Sequence, residues 1–274
     1  MPELAEVEFE RHRWSVGLGL AVSRVVLDEA AQVFRDTDPR ALRRSLRGAT
    51  LTGSEARGKQ ICFRFGSDLW LGVHLGMTGE LFVAPPGHAR RKHEHLLLET
   101  AAGCLGFRDP RRFGRVRFAR GAEEPDWWRA IPPGITSDAF TRARLAEGCA
   151  RRARSPLKAL LLRQDLFPGV GNWMADEVLW RAGLHPRRRA GSLDSEELGR
   201  LFRELRFVAR GALRSVGASG GDPPRGWLFW VRWKDGGICP RSGVTLVRET
   251  VGGRTTCWSP GVQPEPGGRP PRTL

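Results

Sequence analysis

Two periodicities divide the chain. Between about residues 20 and 120 the apolar residues fall in short runs, at 21–27, 60–65, 68–75, 79–83, 95–99, 104–108 and 115–118, each closed by Gly, Asp, Pro or Ser. Runs of that length between turn residues predict antiparallel strands stacked as a sandwich or barrel. A helix is expected over 3–16 with Leu4, Val7 and Trp14 on its inner face, and a short one over 40–47 inserted between strands. Past a break rich in Trp, Pro and Gly at 127–134, segments 136–150, 156–164, 172–182, 195–208 and 210–216 repeat at helical spacing. Residues 227–233 read as a strand, 243–250 and 253–258 as a hairpin, and 264–274 as a disordered Pro/Gly tail. The reading is α+β. An N-terminal helix and antiparallel β-sandwich occupy 1–126, a hinge 127–137, a helical domain 138–224, a β-hairpin 225–263 and the tail 264–274.

Composition narrows the partner. Forty per cent hydrophobic residues, with ten Trp and thirteen Phe, exclude a disordered chain. Lys plus Arg number 45 against 30 for Asp plus Glu, a formal charge of +15, so the surface attracts polyanions such as DNA, RNA or anionic membrane. Arginine enrichment from a GC-rich genome gives the same balance, so charge alone leaves the partner open. No apolar run approaches the roughly 18 residues of a membrane span. Five scattered cysteines argue against a disulfide framework. A cytoplasmic, nucleoid-associated monomer is expected.

Chemistry concentrates at the amino terminus. Removing Met1 from Met1-Pro2-Glu3 leaves a secondary amine that titrates near neutrality and attacks an electrophilic carbon to give an iminium. Glu3 is placed to move protons at that carbon. Pro at position 2 is common, so the dipeptide is weak evidence by itself. A second feature is the turn Pro168-Gly169-Val170-Gly171 opening on Asn172 at a helix start, where unpaired N–H groups suit a phosphate.

The stretch 164–177 resembles the helix-two-turn-helix motif of the formamidopyrimidine-DNA glycosylase and endonuclease VIII family, and further blocks match that family in order. Pro2-Glu3-Leu4-Ala5-Glu6-Val7-Glu8 lacks only the inner proline of the family's opening block. Gly58-Lys59-Gln60 matches its hairpin lysine, His74-Leu75-Gly76-Met77-Thr78-Gly79 its wedge loop, and Asp109-Pro110-Arg111-Arg112-Phe113-Gly114 the loop inserted beside the lesion. The resemblance implies a bifunctional DNA glycosylase and abasic-site lyase acting on double-stranded DNA with damaged bases or abasic sites. Pro2 would attack C1′, Glu3 would protonate the sugar or shuttle protons, and Glu6 would orient the amino terminus. Lys59 would join the catalytic group, as a cation on the lesion phosphate or a proton source near the sugar, while Gly171, Asn172, Arg254 and, with weaker support, Lys158 would meet the backbone. An extruded base leaves a void. Met77 and Phe113 suit filling it and Arg111 suits bonding the orphaned partner base.

The carboxy-terminal part departs from the family pattern. The usual finger spaces four cysteines for zinc, and the same register here falls on Cys239, Ser242, Ser259 and Val262, with Cys257 out of register. No metal and no other cofactor are expected, and packing should hold the hairpin, which still presents Gly253-Arg254-Thr255-Thr256. The stretch 217–226 is shorter than the family loop that caps flipped 8-oxoguanine. The stretches 227–233 and 171–177 resemble the plant and fungal branch, whose members also have a zincless finger, which implies formamidopyrimidines, hydantoins and abasic sites as better substrates than 8-oxoguanine. A non-catalytic damage-binding protein would keep the basic face without needing Pro2 and Glu3. An RNA-binding protein would keep the turn without needing Met77, Arg111 and Phe113.

Overall fold

The computed structural model describes residues 1–265; the tail expected to be disordered lies, from 266 on, outside the described residues. Two compact units emerge, one of Met1–Ile131 with Gly217–Ser219, the other of Pro132–Val216 with the described residues from Gly220 on.

The first unit begins with helix α1 (Leu4–Arg13), which tightens into a 3₁₀ turn at Trp14–Gly17. Strand β1 (Arg24–Leu27), helix α2 (Pro39–Leu46) and strands β2 (Leu51–Arg57), β3 (Gln60–Phe65), β4 (Leu69–His74), β5 (Glu80–Ala84), β6 (Glu94–Thr100), β7 (Gly103–Arg108) and β8 (Arg115–Arg120) follow. They form two antiparallel four-stranded sheets, ordered β1-β6-β7-β5 and β2-β3-β4-β8. Alternate residues face inward. Leu96, Leu98, Leu105 and Phe107 of one sheet thus share a core with Ile61, Phe63, Leu71 and Val73 of the other. Trp14 ties the layers, since its indole N–H donates to Phe82 O and Gly106 O while its ring packs 4.5 Å from that of Phe63. The sandwich follows the expected strands closely, with β2 added. Leu51–Arg57 is mostly polar, so its apolar alternation is faint, and pairing with β3 supplies what the pattern lacks. Helix α3 (Asp126–Arg129), overlapping the start of the segment read as a hinge, buries Trp128 against Cys62 and Trp70 of the first unit.

The second unit contains α4 (Arg142–Arg151), α5 (Leu157–Leu161), α6 (Asn172–Ala182), α7 (Ser195–Ala212) and the hairpin β9 (Val247–Val251) and β10 (Arg254–Trp258). Helix α4 starts later than its periodicity implied, because Thr141 caps it by accepting from Arg144 N–H. Helix α7 opens on an Asp194/Glu197 capping box and runs into a π-helical turn, Leu213–Gly217, absorbing the separate helix expected at 210–216. The strand expected at 227–233 is instead a 3₁₀ turn, Leu228–Trp230. Its aromatic residues imitate strand propensity, yet Phe229 N–H donates to the Glu177 carboxylate and Phe229 packs edge-on against Trp173. Helical, hairpin and 3₁₀ segments share a core of Trp180, Leu228, Cys239, Leu246 and Cys257.

Candidate nucleic-acid interface and amino-terminal site

Glu3 is the extended N-cap residue of α1, and Glu6 Oε2 accepts from Glu3 N–H at 3.1 Å in a reciprocal capping box. The carboxylates thereby fix the backbone directly after half-buried Pro2, with Glu3 itself buried. Lys59 approaches the same end. It sits in the two-residue turn joining β2 to β3, where Gly58 has φ of 61°, and its Nζ lies 4.0 Å from Met1 Sδ. Pro2, Glu3, Glu6 and Lys59 are thus gathered at one end of the first unit. His74, across from Gln60 in the β3–β4 ladder, adjoins this group. Burial, with the charges of Lys59, Arg115, Arg117 and Arg35, pushes its imidazole down to about 4. The neutral ring accepts Gly76 N–H on Nδ1 at 3.1 Å and so leads into the next loop.

That loop and the one after β7 form a single block. A Cβ on Gly76, whose φ is 66°, would lie 2.5 Å from Gly114 N and 2.6 Å from Phe113 C, so only glycine permits this approach. Buried Asp109 joins the loops. Its Oδ1 accepts from Thr78 Oγ1 at 2.9 Å and Arg111 N–H at 3.3 Å, and its Oδ2 accepts from Gly114 N–H at 2.7 Å. On this base Met77 and Phe113 stand exposed, with the Arg111 guanidinium 5.0 Å from the Phe113 ring. Two large apolar side chains beside an arginine on a braced surface mark a binding face. Sequence reading assigned no role to Asp109 or His74, although both lie within the quoted motifs.

In the second unit, the Gln164 side chain staples the turn before α6, accepting Gly169 N–H and donating to Leu162 O and Val170 O. Buried Gly171 is the N-cap, and Asn172 Nδ2 donates to Thr255 O at 2.8 Å. The hairpin tip reaches the helices because Gly252 lets it close on α5; a Cβ there would lie 2.7 Å from Ala159 Cβ. Arg254 follows, exposed and one residue from the carbonyl that Asn172 holds. Lys158 requires correction. Its side chain is fully buried, and Nζ donates to Asn172 O and the Asp176 carboxylate, so it supports the turn from inside where the resemblance implied a phosphate contact. Asp176 also accepts from Arg232 and from Cys257 N–H, joining α5, α6, the segment after the 3₁₀ turn and β10.

The four finger positions do converge. Cys239 Sγ accepts from Trp180 Nε1 at 3.3 Å, the Ser242 and Ser259 hydroxyls lie 3.2 Å apart, and Val262 packs on the same cluster. Burial raises the thiol's pKa, but hydrogen bonds from Ser242, Ser259 and Trp180 outweigh it and bring Cys239 down to about 7. Two hydroxyls and an isopropyl group do not fit a zinc tetrahedron. Cys257 lies in the same core with its thiol pushed up to about 11 by burial.

A β-sandwich bearing apolar wedges, followed by helices that open on a Gly-Asn turn beside an arginine-tipped hairpin, defines a DNA-binding protein of the helix-two-turn-helix class. Residues 1–116 match the formamidopyrimidine-DNA glycosylase N-terminal domain and residues 131–221 the formamidopyrimidine-DNA glycosylase H2TH domain. The chain belongs to the formamidopyrimidine-DNA glycosylase family. It is 38% identical to the formamidopyrimidine-DNA glycosylase of Thermus thermophilus over 97% of its length and 99% of the relative's. Identity to that of a Roseiflexus species is 34% over 96% of this chain and 100% of the relative. The Lactococcus lactis formamidopyrimidine-DNA glycosylase bound to abasic-site DNA superposes with a TM-score of 0.85 at 28% identity, covering 96% of this chain and 100% of that one. The same enzyme with DNA containing a formamidopyrimidine guanine gives 0.86 at 28% identity and the same coverage. Among the described residues no helix is long and apolar enough to cross a membrane.

Proposed function

We propose that this protein excises oxidised or ring-opened bases from DNA and then cleaves the abasic strand, with the Pro2 amine as nucleophile once Met1 is removed. The observation that carries the reading is the position of Pro2 directly before a reciprocally capped helix start, with Lys59 brought by its hairpin to Met1, the residue whose removal exposes the Pro2 amine. The secondary amine forms a bond to C1′ as the damaged base leaves with the glycosidic electron pair, and the amine's N–H proton passes to the departing base. Glu3 delivers a proton to the sugar ring oxygen as the ring opens, which leaves an iminium. The iminium acidifies the C2′ proton; its removal expels the 3′ phosphate, and a second elimination expels the 5′ phosphate. The protein supplies the electron sink itself, and Lys59 stands ready for the lesion phosphate.

Met77, Arg111 and Phe113 fill the space of the extruded base and bond its orphaned partner, which offsets the few kcal/mol that unstacking costs. Asn172 and Arg254, held together through Thr255, grip the damaged strand's backbone. Helix continues to Ser219, leaving only 220–227 to reach the 3₁₀ turn. A cap over a flipped purine has little chain to draw on, which supports formamidopyrimidines and hydantoins over 8-oxoguanine. Single-turnover excision across these lesions tests that preference, and fastest removal of 8-oxoguanine would overturn it.

Borohydride trapping on a duplex with one abasic site tests the mechanism, after mass spectrometry establishes the amino terminus. Protein starting at Pro2 should form a covalent complex, while Pro2→Gly should trap poorly and Glu3→Gln should bind without excising. Absence of a complex from protein starting at Pro2, with tight binding kept, would leave a damage-binding protein.

A further inference from the structure

The segment between α7 and the hairpin carries an aromatic display that the mechanism does not use. Trp233 is 55% exposed. Its ring is nonetheless braced. Phe229 meets it edge-on at 5.2 Å, and the Arg232 guanidinium lies 4.6 Å from its centroid. Arg232 is itself buried and fixed by Asp176. Phe229 in turn packs edge-on at 5.3 Å against Trp173, the residue after Asn172. The exposed indole is therefore two ring contacts away from the turn that holds the DNA backbone, and exposed Lys234 follows it.

We infer that Trp233 is a stacking platform for an unstacked nucleobase of the bound DNA, an inference that rests on the reading that Asn172 and Arg254 hold that DNA. Every base offers a π-face, and an aromatic ring beside a cationic groove stacks bases with little regard to sequence. A ring already fixed by its neighbours loses little rotamer freedom on binding. Lys234 attracts the adjoining phosphate, and continuity with the Asn172 turn favours a nucleic-acid occupant over a protein one.

Full-length protein and its Trp233→Ala and Trp233→Phe variants are compared on two duplexes, one with an extrahelical 2-aminopurine beside a tetrahydrofuran abasic analogue, the other fully paired. Wild type and Trp233→Phe should quench the extrahelical 2-aminopurine. Trp233→Ala should lose the Trp233-dependent quench and bind this duplex roughly 5- to 100-fold more weakly, with affinity for the paired duplex unchanged. Equal weakening on both duplexes, no weakening on either, or an undiminished quench in Trp233→Ala would overturn the inference. Borohydride trapping by wild type decides the catalytic reading separately, because the 2-aminopurine readout requires no chemistry.

Discussion

Removing the Asp109 carboxylate would leave the buried Gly114 N–H without its acceptor and hand the exposed Thr78 hydroxyl to solvent. An unsatisfied buried group costs about 1–3 kcal/mol. Asp109→Ala should therefore lower unfolding free energy by roughly 1–3 kcal/mol in urea titrations. It should also free the two wedge loops from one another. On the roles proposed for Met77, Arg111 and Phe113, excision of a base lesion should fall at least about tenfold. Trapping on an abasic site, where no base must be extruded, should fall less. Equal losses on both substrates would reduce Asp109 to a folding residue. The motif around Asp109 was legible in the sequence. That its carboxylate joins two loops was not, because its Thr78 partner lies 31 positions away along the chain.

At the scale of elements, α6 depends on one buried carboxylate serving two cations. Asp176→Asn removes the charge that Lys158 and Arg232 share and should destabilise the protein by about 3–5 kcal/mol, because it strands buried positive charge. Lys158→Met should cost less, since Arg232 and the Cys257 N–H still satisfy Asp176. Thermal unfolding of the two variants checks the order, and the reverse order would show that Lys158 and not Asp176 is the keystone. Sequence periodicity located α6 to the residue, and β3 likewise, because both carry strong patterns bounded by turn residues. The misreading of 227–233 has the opposite cause. Its Trp and Phe residues suit a strand, yet Trp173 and Phe207 gather Trp227 and Phe229 into a ring cluster, and among the described residues no strand pairs with the segment.

For the whole molecule, two titrating groups, half-buried His74 and buried Glu177, oppose each other. His74 is held down to about 4, below the ordinary imidazole value of 6.5. Its contribution is complete above pH 6.5 and is lost as pH falls toward 4. Glu177 is pushed up to about 7, chiefly by burial and against the pull of Arg181. Its contribution is complete below pH 4.5 and is lost as pH rises to 7. Each is worth on the order of 3 kcal/mol. The two groups belong to different units. Acidification from about pH 7 to about pH 5 should therefore weaken the first unit relative to the second. His74→Asn should flatten the acid loss of the first, and Glu177→Gln the neutral-pH loss of the second, in calorimetric scans across that range. An unchanged pH profile in either variant would refute that assignment. The +15 charge acts over the same scale. Arg254→Ala should weaken binding to damaged and undamaged duplex alike and reduce the slope of log K against log salt by about 1. An unchanged slope would remove Arg254 from the phosphate contacts.

Local patterns determined the antiparallel strands, the helical second half, the Gly-Asn turn and the amino-terminal Pro-Glu pair, because period, capping and turn chemistry act over a few neighbouring residues. Family membership was legible for a related reason, since its blocks are short and keep their order along the chain. Burial and long-range pairing decided the rest. Lys158 reads as a surface cation until Asp176 and the Asn172 carbonyl close around it. Residues 227–233 read as a strand until the rings of α6 and α7 pack on them. Ser242 and Ser259 read as lost metal ligands until they meet across the finger and donate to Cys239. In each case the deciding partner lies far along the chain, and only the folded backbone brings it within hydrogen-bonding or van der Waals distance.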